Sequence, residues 1–329
     1  MGDTTKLDKL IDTLNKRFQA NVIGRLGSMP SIETERVSSG SPYLDWALGG
    51  SGWPLGRTAE VFGNPSTGKS LIALRTAAEF QKLGKSVAWL DSEAGFSPKF
   101  AKLVGVDLDK LVISQISAGE DAFDIISALL DTEVSLIVVD SVAALVPQFE
   151  LDESMEKQTI GLHARLLSRG LRLITGKAAR NKTLILFINQ LREKVGAYGN
   201  PLTVTGGRAL GFYSSIRVEV TRGELILEDK KAIGQQIKFK VTKSKVSPPF
   251  REGYFLFYYP DMEATDSQVI FDEADELVSM LLIQNKITRR GAYYDVTGRT
   301  FQGREELEKE IRDNPDFKKQ LNELWKEKK

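Results

Sequence analysis

Residues 63–70 read GNPSTGKS, a full match to G-x-x-x-x-G-K-[ST], and this stretch constrains the fold of the chain most tightly. The five residues before it (TAEVF) have the pattern of a buried strand. After it, Leu71, Leu74, Ala77, Ala78 and Leu83 recur at helical spacing as far as Gly84. A strand running into a glycine-rich turn and then a helix aims backbone N–H groups, and the partial positive charge of the helix N-terminus, at one point. That point suits phosphate. Gly63, Asn64, Pro65, Ser66, Thr67 and Gly68 would form the cradle and Leu71 would begin the helix behind it. Lys69 would reach the outer phosphates of a nucleotide, and Ser70 would place its hydroxyl on Mg²⁺.

A chain of 329 residues, 41% hydrophobic and 27% charged, has material for one large core with one or two small modules. Its formal net charge of +1 supplies no overall field, so any polyanionic partner must be held by local clusters of cations. Cysteine is absent from the sequence, which excludes disulfides, thiolate nucleophiles and cysteine-based metal sites, and the single histidine is His163. No apolar run approaches the roughly 20 residues needed to cross a bilayer, and the N-terminal residues lack the apolar region of a secretion signal. The expected setting is the cytoplasm, with no membrane partner.

Leu7, Leu10, Ile11, Leu14 and Phe18 predict a short amphipathic helix, separated from the rest by Gly24, Gly27 and Pro30. Its apolar stripe would dock either on its own domain or on a neighbouring subunit. Residues 44–48 predict a second short helix before the first core strand. Strand candidates at 86–91 (SVAWLD), 111–114, 135–140 (SLIVVD) and 184–189 (LILFIN) alternate with helix-length segments, which implies a mostly parallel sheet covered on both faces. Ligands in such sheets sit beyond the carboxyl ends of the strands, where this chain places Asp91-Ser92-Glu93, Asp140-Ser141 and Asn189-Gln190. Asp140 is expected to hold the water shell of Mg²⁺, with a helix N-cap as its competing role. Glu93 is the candidate for aligning and partly deprotonating an attacking water. Gln190 reads as a phosphate sensor or as a structural amide.

Residues 150–160 (ELDESMEKQTI) and 191–211 are expected to lack regular structure. The first precedes a helix carrying Arg165, Arg169 and Arg172. The second holds glycines at 196, 199, 206, 207 and 211 with Arg192, Lys194, Tyr198 and Arg208, which suits single-stranded nucleic acid or a mobile lid over the nucleotide. Residues 215–220 (SIRVEV) and 236–242 (QIKFKVT) predict half-exposed antiparallel strands extending the sheet, followed by Lys243 and Lys245, which in isolation read as a solvated pair. Arg289 and Arg290 read likewise, with phosphate contact as the other role. The expected domains are a helix and linker over 1–30, a nucleotide core over 31–268 with DNA loops near 150–160 and 190–211, and a small α+β domain over 269–329.

Longer blocks carry more than a phosphate cradle: SSGSPYLDWALGGSGWPLGR, GNPSTGKS, LDSE, LIVVDSVAALVP, GLHARLLSRGLR, LFINQLREKVG, YGNPLTVTGGRALGFY and KVTKSKVSPPF, in this order. Through them the chain resembles the bacterial RecA recombinases along nearly its whole length. The resemblance implies a P-loop NTPase with a RecA-like α/β core, using ATP and Mg²⁺. It also implies a DNA-dependent ATPase that forms a helical filament on single-stranded DNA, searches homologous double-stranded DNA and exchanges strands. By the same resemblance Glu93 activates water, Lys69 and Gln190 act on the terminal phosphate, Phe100 stacks on the adenine, and Tyr259 belongs to the nucleotide site. Arg165, Arg172, Arg192, Lys194, Tyr198, Gly206, Gly207 and Arg208 are the implied DNA neighbours. Lys243 and Lys245 would reach the neighbouring subunit's ATP, the N-terminal helix would dock on the adjacent protomer, and Phe212 would carry the signal between nucleotide sites.

Several positions depart from the family pattern. Ser97 stands where an aspartate is usual and Gly211 where lysine is common, the second loop is slightly shorter, and the chain ends at Lys329 without an acidic tail. Fewer tethered carboxylates would compete for cationic DNA surfaces, so weaker self-inhibition of duplex entry is expected, a form that would fit a phage-encoded member. Two other classes share the core: a ring motor or helicase, and an ATP-gated DNA-binding scaffold without productive turnover.

Overall fold

The computed structural model describes residues 5–18, 23–25, 35–152, 161–193, 202–260 and 270–326. The chain forms two compact units, Met1–Glu35 and Arg36–Lys329. In the first, α1 (Lys6–Phe18) starts from a reciprocal cap: Thr5 N–H donates to Asp8 Oδ2 at 3.2 Å and Asp8 N–H to the Thr5 hydroxyl at 3.3 Å. None of its residues is buried, and Leu7, Leu10 and Phe18 are exposed.

The second unit opens with a small antiparallel pair, β1 (Arg36–Val37) and β2 (Trp53–Pro54), flanking α2 (Pro42–Ala47), whose N-cap is the Ser41 hydroxyl. Strand and helix then alternate as the apolar pattern predicts. β3 (Thr58–Gly63), α3 (Lys69–Lys82), β4 (Ser86–Asp91), α4 (Pro98–Val104), β5 (Leu111–Gln115) and α5 (Gly119–Leu129) come first. They are followed by β6 (Val134–Asp140), α6 (Gln148–Asp152), α7 (Leu162–Asn181) and β7 (Leu184–Glu193). Short β8 (Leu202–Val204) and α8 (Ala209–Tyr213) lead to β9 (Ile216–Glu228), β10 (Lys231–Ser244), β11 (Glu252–Tyr258) and β12 (Ile270–Phe271). The C-terminal part contains α9 (Glu273–Ile283), a three-stranded sheet of β13 (Thr288–Arg290), β14 (Tyr293–Val296) and β15 (Arg299–Gln302), then α10 (Arg304–Asp313) and α11 (Pro315–Lys326).

The main sheet has the order β12-β11-β10-β9-β3-β7-β6-β4-β5, with β8 added at the end of β7. Pairings from β9 to β5 are parallel. Residues 215–220 therefore depart from expectation: β9 pairs parallel to β3, Ala59 beside Ile216 and Gly63 beside Val220, and antiparallel pairing begins only with β10. The physical reason is the return through α8, which brings the chain back to the starting edge of β3 before β9 begins. Alternate residues of β6 enter different apolar clusters, Leu136 and Val138 on one face and Ile137 and Val139 on the other, so the sheet is buried on both sides. The first cluster joins Leu71, Leu74 and Phe80 of α3 to Leu277, Val278 and Leu281 of α9. Burying each such side chain contributes about 1.5–3 kcal/mol.

Both expected domain boundaries, near 30 and near 268, fall outside the described residues. So do residues 153–160 of the first loop and Lys194 and Tyr198 of the second. Three described parts are more regular than expected, the first being α8, which already begins at Ala209. Residues 150–152 belong to α6, and β7 runs on to Glu193 because Leu191, Arg192 and Glu193 pair with Val204, Thr203 and Leu202, satisfying backbone groups that a loop would leave open.

Candidate functional site

The cradle is shaped by two glycines. A Cβ on Gly63 would lie 2.1 Å from the Val220 carbonyl oxygen, and Gly68 takes φ +93°, a conformation that other residues adopt only under strain. Within the turn the Thr67 hydroxyl donates to the Asn64 carbonyl at 2.9 Å and Lys69 Nζ to the same oxygen at 2.6 Å. Lys69 is buried, and desolvation lowers its pKa against the opposing pull of Asp140 and Glu93. At the start of α3 the exposed Ser70 hydroxyl donates to Asp140 Oδ2 at 2.7 Å. Burial, with Glu93 and Asp91 nearby, pushes Asp140 up to about 6, while the Ser70 bond and Lys69 work the other way. A hydroxyl and a carboxylate beside a phosphate cradle are the hard oxygen donors that suit Mg²⁺, which keeps several waters and takes its other ligands from phosphate.

Glu93 projects from a tight turn beyond β4. The buried Asp91 carboxylate accepts the N–H groups of Gly95 at 3.2 Å and Phe96 at 3.1 Å, and Ala94 has φ +53°. Glu93 Oε1 accepts Gln190 Nε2 at 2.7 Å and also the Ser141 hydroxyl. The Ser141 carbonyl in turn accepts the Ser92 hydroxyl at 2.7 Å. The ends of β4, β6 and β7 thus converge, with Gln190 beside Gly63 in register. Ser70, Asp140, Glu93 and Gln190 are joined to one another as pairs around the cradle. In the sequence Ser141 stands out only as part of a strand end, because its side-chain contact depends on residue 93, 48 positions away.

Phe100 lies half-buried on α4, whose N-cap is Ser97, the hydroxyl accepting Phe100 N–H at 3.3 Å. Serine thus performs the capping task that an aspartate could perform at that position. The Phe100 ring meets Phe257 edge-on at 6.4 Å, and Phe257 meets Tyr259 at 5.5 Å, so the two expected nucleotide-site aromatics share one aromatic neighbour.

Arg165 and Arg172 are exposed on α7, and Arg192 and Arg208 are exposed at the two described ends of the second loop. The returning end is tied to β7: Thr205 N–H donates to the Gln190 carbonyl at 3.2 Å, and Asn189 Nδ2 donates to the Thr205 carbonyl at 3.2 Å. Gly206 and Gly207 follow with φ +82° and +72°. Lys243 is not the solvated lysine that its type suggested. It is half-buried, its Nζ donates to the carbonyls of Gly211 at 2.6 Å and Phe212 at 3.1 Å, and burial lowers its pKa. Lys245 Nζ lies 3.5 Å from the Phe212 carbonyl, and the Phe212 side chain is exposed. Among the described residues no helix is long and apolar enough to cross a membrane.

A family model for the RecA N-terminal domain matches residues 5–262 of the chain. The chain is 40% identical over 318 residues to Protein RecA of Lactobacillus delbrueckii subsp. bulgaricus, covering 96% of this chain and 94% of that protein. It is 40% identical over 329 residues to Protein RecA of Limosilactobacillus reuteri, covering 98% and 88%. With Protein RecA of Gluconobacter oxydans it shares 39% over 324 residues, covering 98% and 92%.

Proposed function

From the premise that this chain belongs to the RecA family, we propose how its residues divide the work of a recombinase. The protein is an ATP-dependent homologous recombinase and a DNA-dependent ATPase. Its nucleotide is ATP with Mg²⁺, its partners are single-stranded and homologous double-stranded DNA and further copies of itself in a helical filament, and it works in the cytoplasm. Ser70 and, by way of water, Asp140 would hold Mg²⁺, which would supply charge neutralisation at the phosphates. Residues 63–71 cradle those phosphates, with Lys69 on the outer ones, and Phe100 and Tyr259 hold the base. Glu93 aligns the attacking water and accepts its proton. Lys243 and Lys245 reach the terminal phosphate of a neighbouring protomer's ATP, so hydrolysis rises when protomers stack. The exposed stripe of α1 supports docking on that neighbour, and the exposed Phe212 supports a role in signalling between sites.

Arg165, Arg172, Arg192 and Arg208 hold DNA phosphates, with Gly206 and Gly207 letting the backbone approach the strand; Lys194 and Tyr198 join them. The observation that carries the reading is the 2.7 Å bond between Gln190 Nε2 and Glu93 Oε1. It links the water-activating carboxylate to the strand that continues into the DNA loop. A terminal phosphate competes for the Gln190 amide, which frees Glu93 and shifts the loop.

The test is electron microscopy with single-stranded DNA and a slowly hydrolysed ATP analogue. Extended helical filaments are expected, whereas closed rings would return the chain to the motor class. Glu93→Gln should still assemble while its turnover drops by about two to four orders of magnitude. Unchanged turnover would remove Glu93 from its role.

A further inference from the structure

A second chain of contacts connects the loop to Glu93, and it passes through the only histidine of the sequence. His163 lies in the first turn of α7 with its ring half-buried. Its Nε2 is 3.1 Å from the Val142 carbonyl oxygen. A carbonyl only accepts, so Nε2 carries the proton and donates it. Val142 follows Ser141, whose hydroxyl donates to Glu93 Oε1. The other side of the imidazole lies against the returning end of the second loop: a Cβ on Gly206 would sit 3.3 Å from His163 Cε1 and 3.4 Å from Nδ1. Thr205, one residue earlier, bonds the Gln190 carbonyl through both its N–H and its hydroxyl, at 3.2 and 3.3 Å. Gln190 closes the circuit on Glu93 at 2.7 Å.

We propose that His163 is a positioning residue: wedged under Gly206, it pins the 141–142 turn so that Ser141 restrains Glu93 until DNA displaces the loop. The inference rests on the roles given above to Glu93 and to the loop. A carboxylate oxygen already accepting two hydrogen bonds is a poorer base, because those bonds stabilise its charged form, and it is directed at its donors instead of at water. Moving Gly206 off the imidazole loosens the Val142 bond. The Ser141 hydroxyl then loses its fixed aim, and Oε1 becomes available. An imidazole that merely fills space would hold the same volume without affecting how turnover responds to DNA.

The test compares His163→Leu, which keeps bulk and removes the donor, with His163→Gln, whose amide N–H can still reach Val142. The readouts are kcat and KM for ATP with and without an oligo-dT strand, with Glu93→Gln as control. For His163→Leu the ratio of DNA-stimulated to DNA-free kcat should fall by about three- to tenfold, the worth of one hydrogen bond, because the DNA-free rate rises. KM for ATP should stay put, and His163→Gln should recover the parent ratio. A ratio within twofold of the parent's, a fall caused by a slower DNA-stimulated rate, or a glutamine variant that behaves like leucine each overturns the proposal. Should the leucine variant not fold, His163→Asn is too short to bond Val142 and must show the same fall; an unchanged ratio there overturns it equally. Retained turnover in Glu93→Gln would overturn the role of Glu93 itself and this inference with it. An inactive Glu93→Gln beside an unaltered His163→Leu ratio defeats the inference alone.

Discussion

Glu60, in the middle of β3, is fully buried and holds three strands together. Its Oε1 accepts Asn189 Nδ2 of β7 at 2.9 Å, and its Oε2 accepts Arg217 Nε of β9 at 2.5 Å. Both partners are donors, which makes glutamine a poor substitute despite its equal size. The single amide oxygen of Glu60→Gln satisfies one of them and turns an NH₂ group toward the other. The change therefore loses a charge-assisted bond worth about 1.5–3 kcal/mol and strands a buried donor at about 1–3 kcal/mol, overlapping losses whose net is about 3 kcal/mol. The Arg217 side chain, 22% exposed and stacked over the Phe62 ring at 4.4 Å, can turn partly to water, which holds the total below the upper limit for a broken buried pair. Adding Arg217→Gln restores complementarity, since the new carbonyl can accept from the residue-60 amide. The double variant should thus be more stable than the sum of the single changes predicts, by about 1.5 kcal/mol or more. Urea unfolding followed by the fluorescence of buried Trp53 and Trp89 measures all four corners of the cycle. Strict additivity, or a Glu60→Gln loss under about 1 kcal/mol, would refute the argument.

Two further expectations concern ligands. Asp140 is pushed up to about 6, and in the proposed role its ionised form is the stronger acceptor for the waters of Mg²⁺ and the one that attracts the cation. Acidification through pH 6 should therefore weaken Mg–ATP binding, by at most about tenfold per pH unit below it, and Asp140→Asn should bind weakly with a flat profile. A parent affinity constant between roughly pH 5 and 7, measured by titration with a fluorescent ATP analogue, would contradict this. Arg208→Ala should weaken single-stranded DNA binding and reduce the salt slope by about 0.7, one phosphate contact, as read by fluorescence anisotropy across a salt series. An unchanged slope would take Arg208 off the phosphate backbone.

The parts of the site legible in the sequence are those whose chemistry is local. GNPSTGKS carries its own glycines, lysine and hydroxyl, so strand, turn and helix follow from eight adjacent residues. Polar residues ending apolar strands placed Glu93, Asp140 and Gln190 on one edge, because every parallel strand delivers its carboxyl end there. That Glu93 and Gln190 touch was not legible, since 97 positions separate them and only the strand order β3-β7-β6-β4 brings them into range. The direction of β9 was hidden for a related reason. Alternation in SIRVEV identifies a half-buried strand but is the same read forward or backward, and direction is set by α8, five residues long and too short to carry helical periodicity.

Glu60 carries its own signal in the sequence: a carboxylate inside TAEVF, a run otherwise suited to complete burial, requires a donor on a neighbouring strand. Arg217 and Asn189 are that requirement met, one on each side of β3. Asn189 also bonds the loop carbonyl at Thr205, and Arg217 lies beside Gly211, where a Cβ would come within 3.5 Å of the guanidinium. A lysine at position 211, the residue common in the family, would bring a second cation toward that guanidinium, whereas glycine leaves the space clear. The departure at Gly211 thus has a local consequence: one cation fewer beside Arg217, while Lys243 stays bound to the main-chain carbonyls of Gly211 and Phe212.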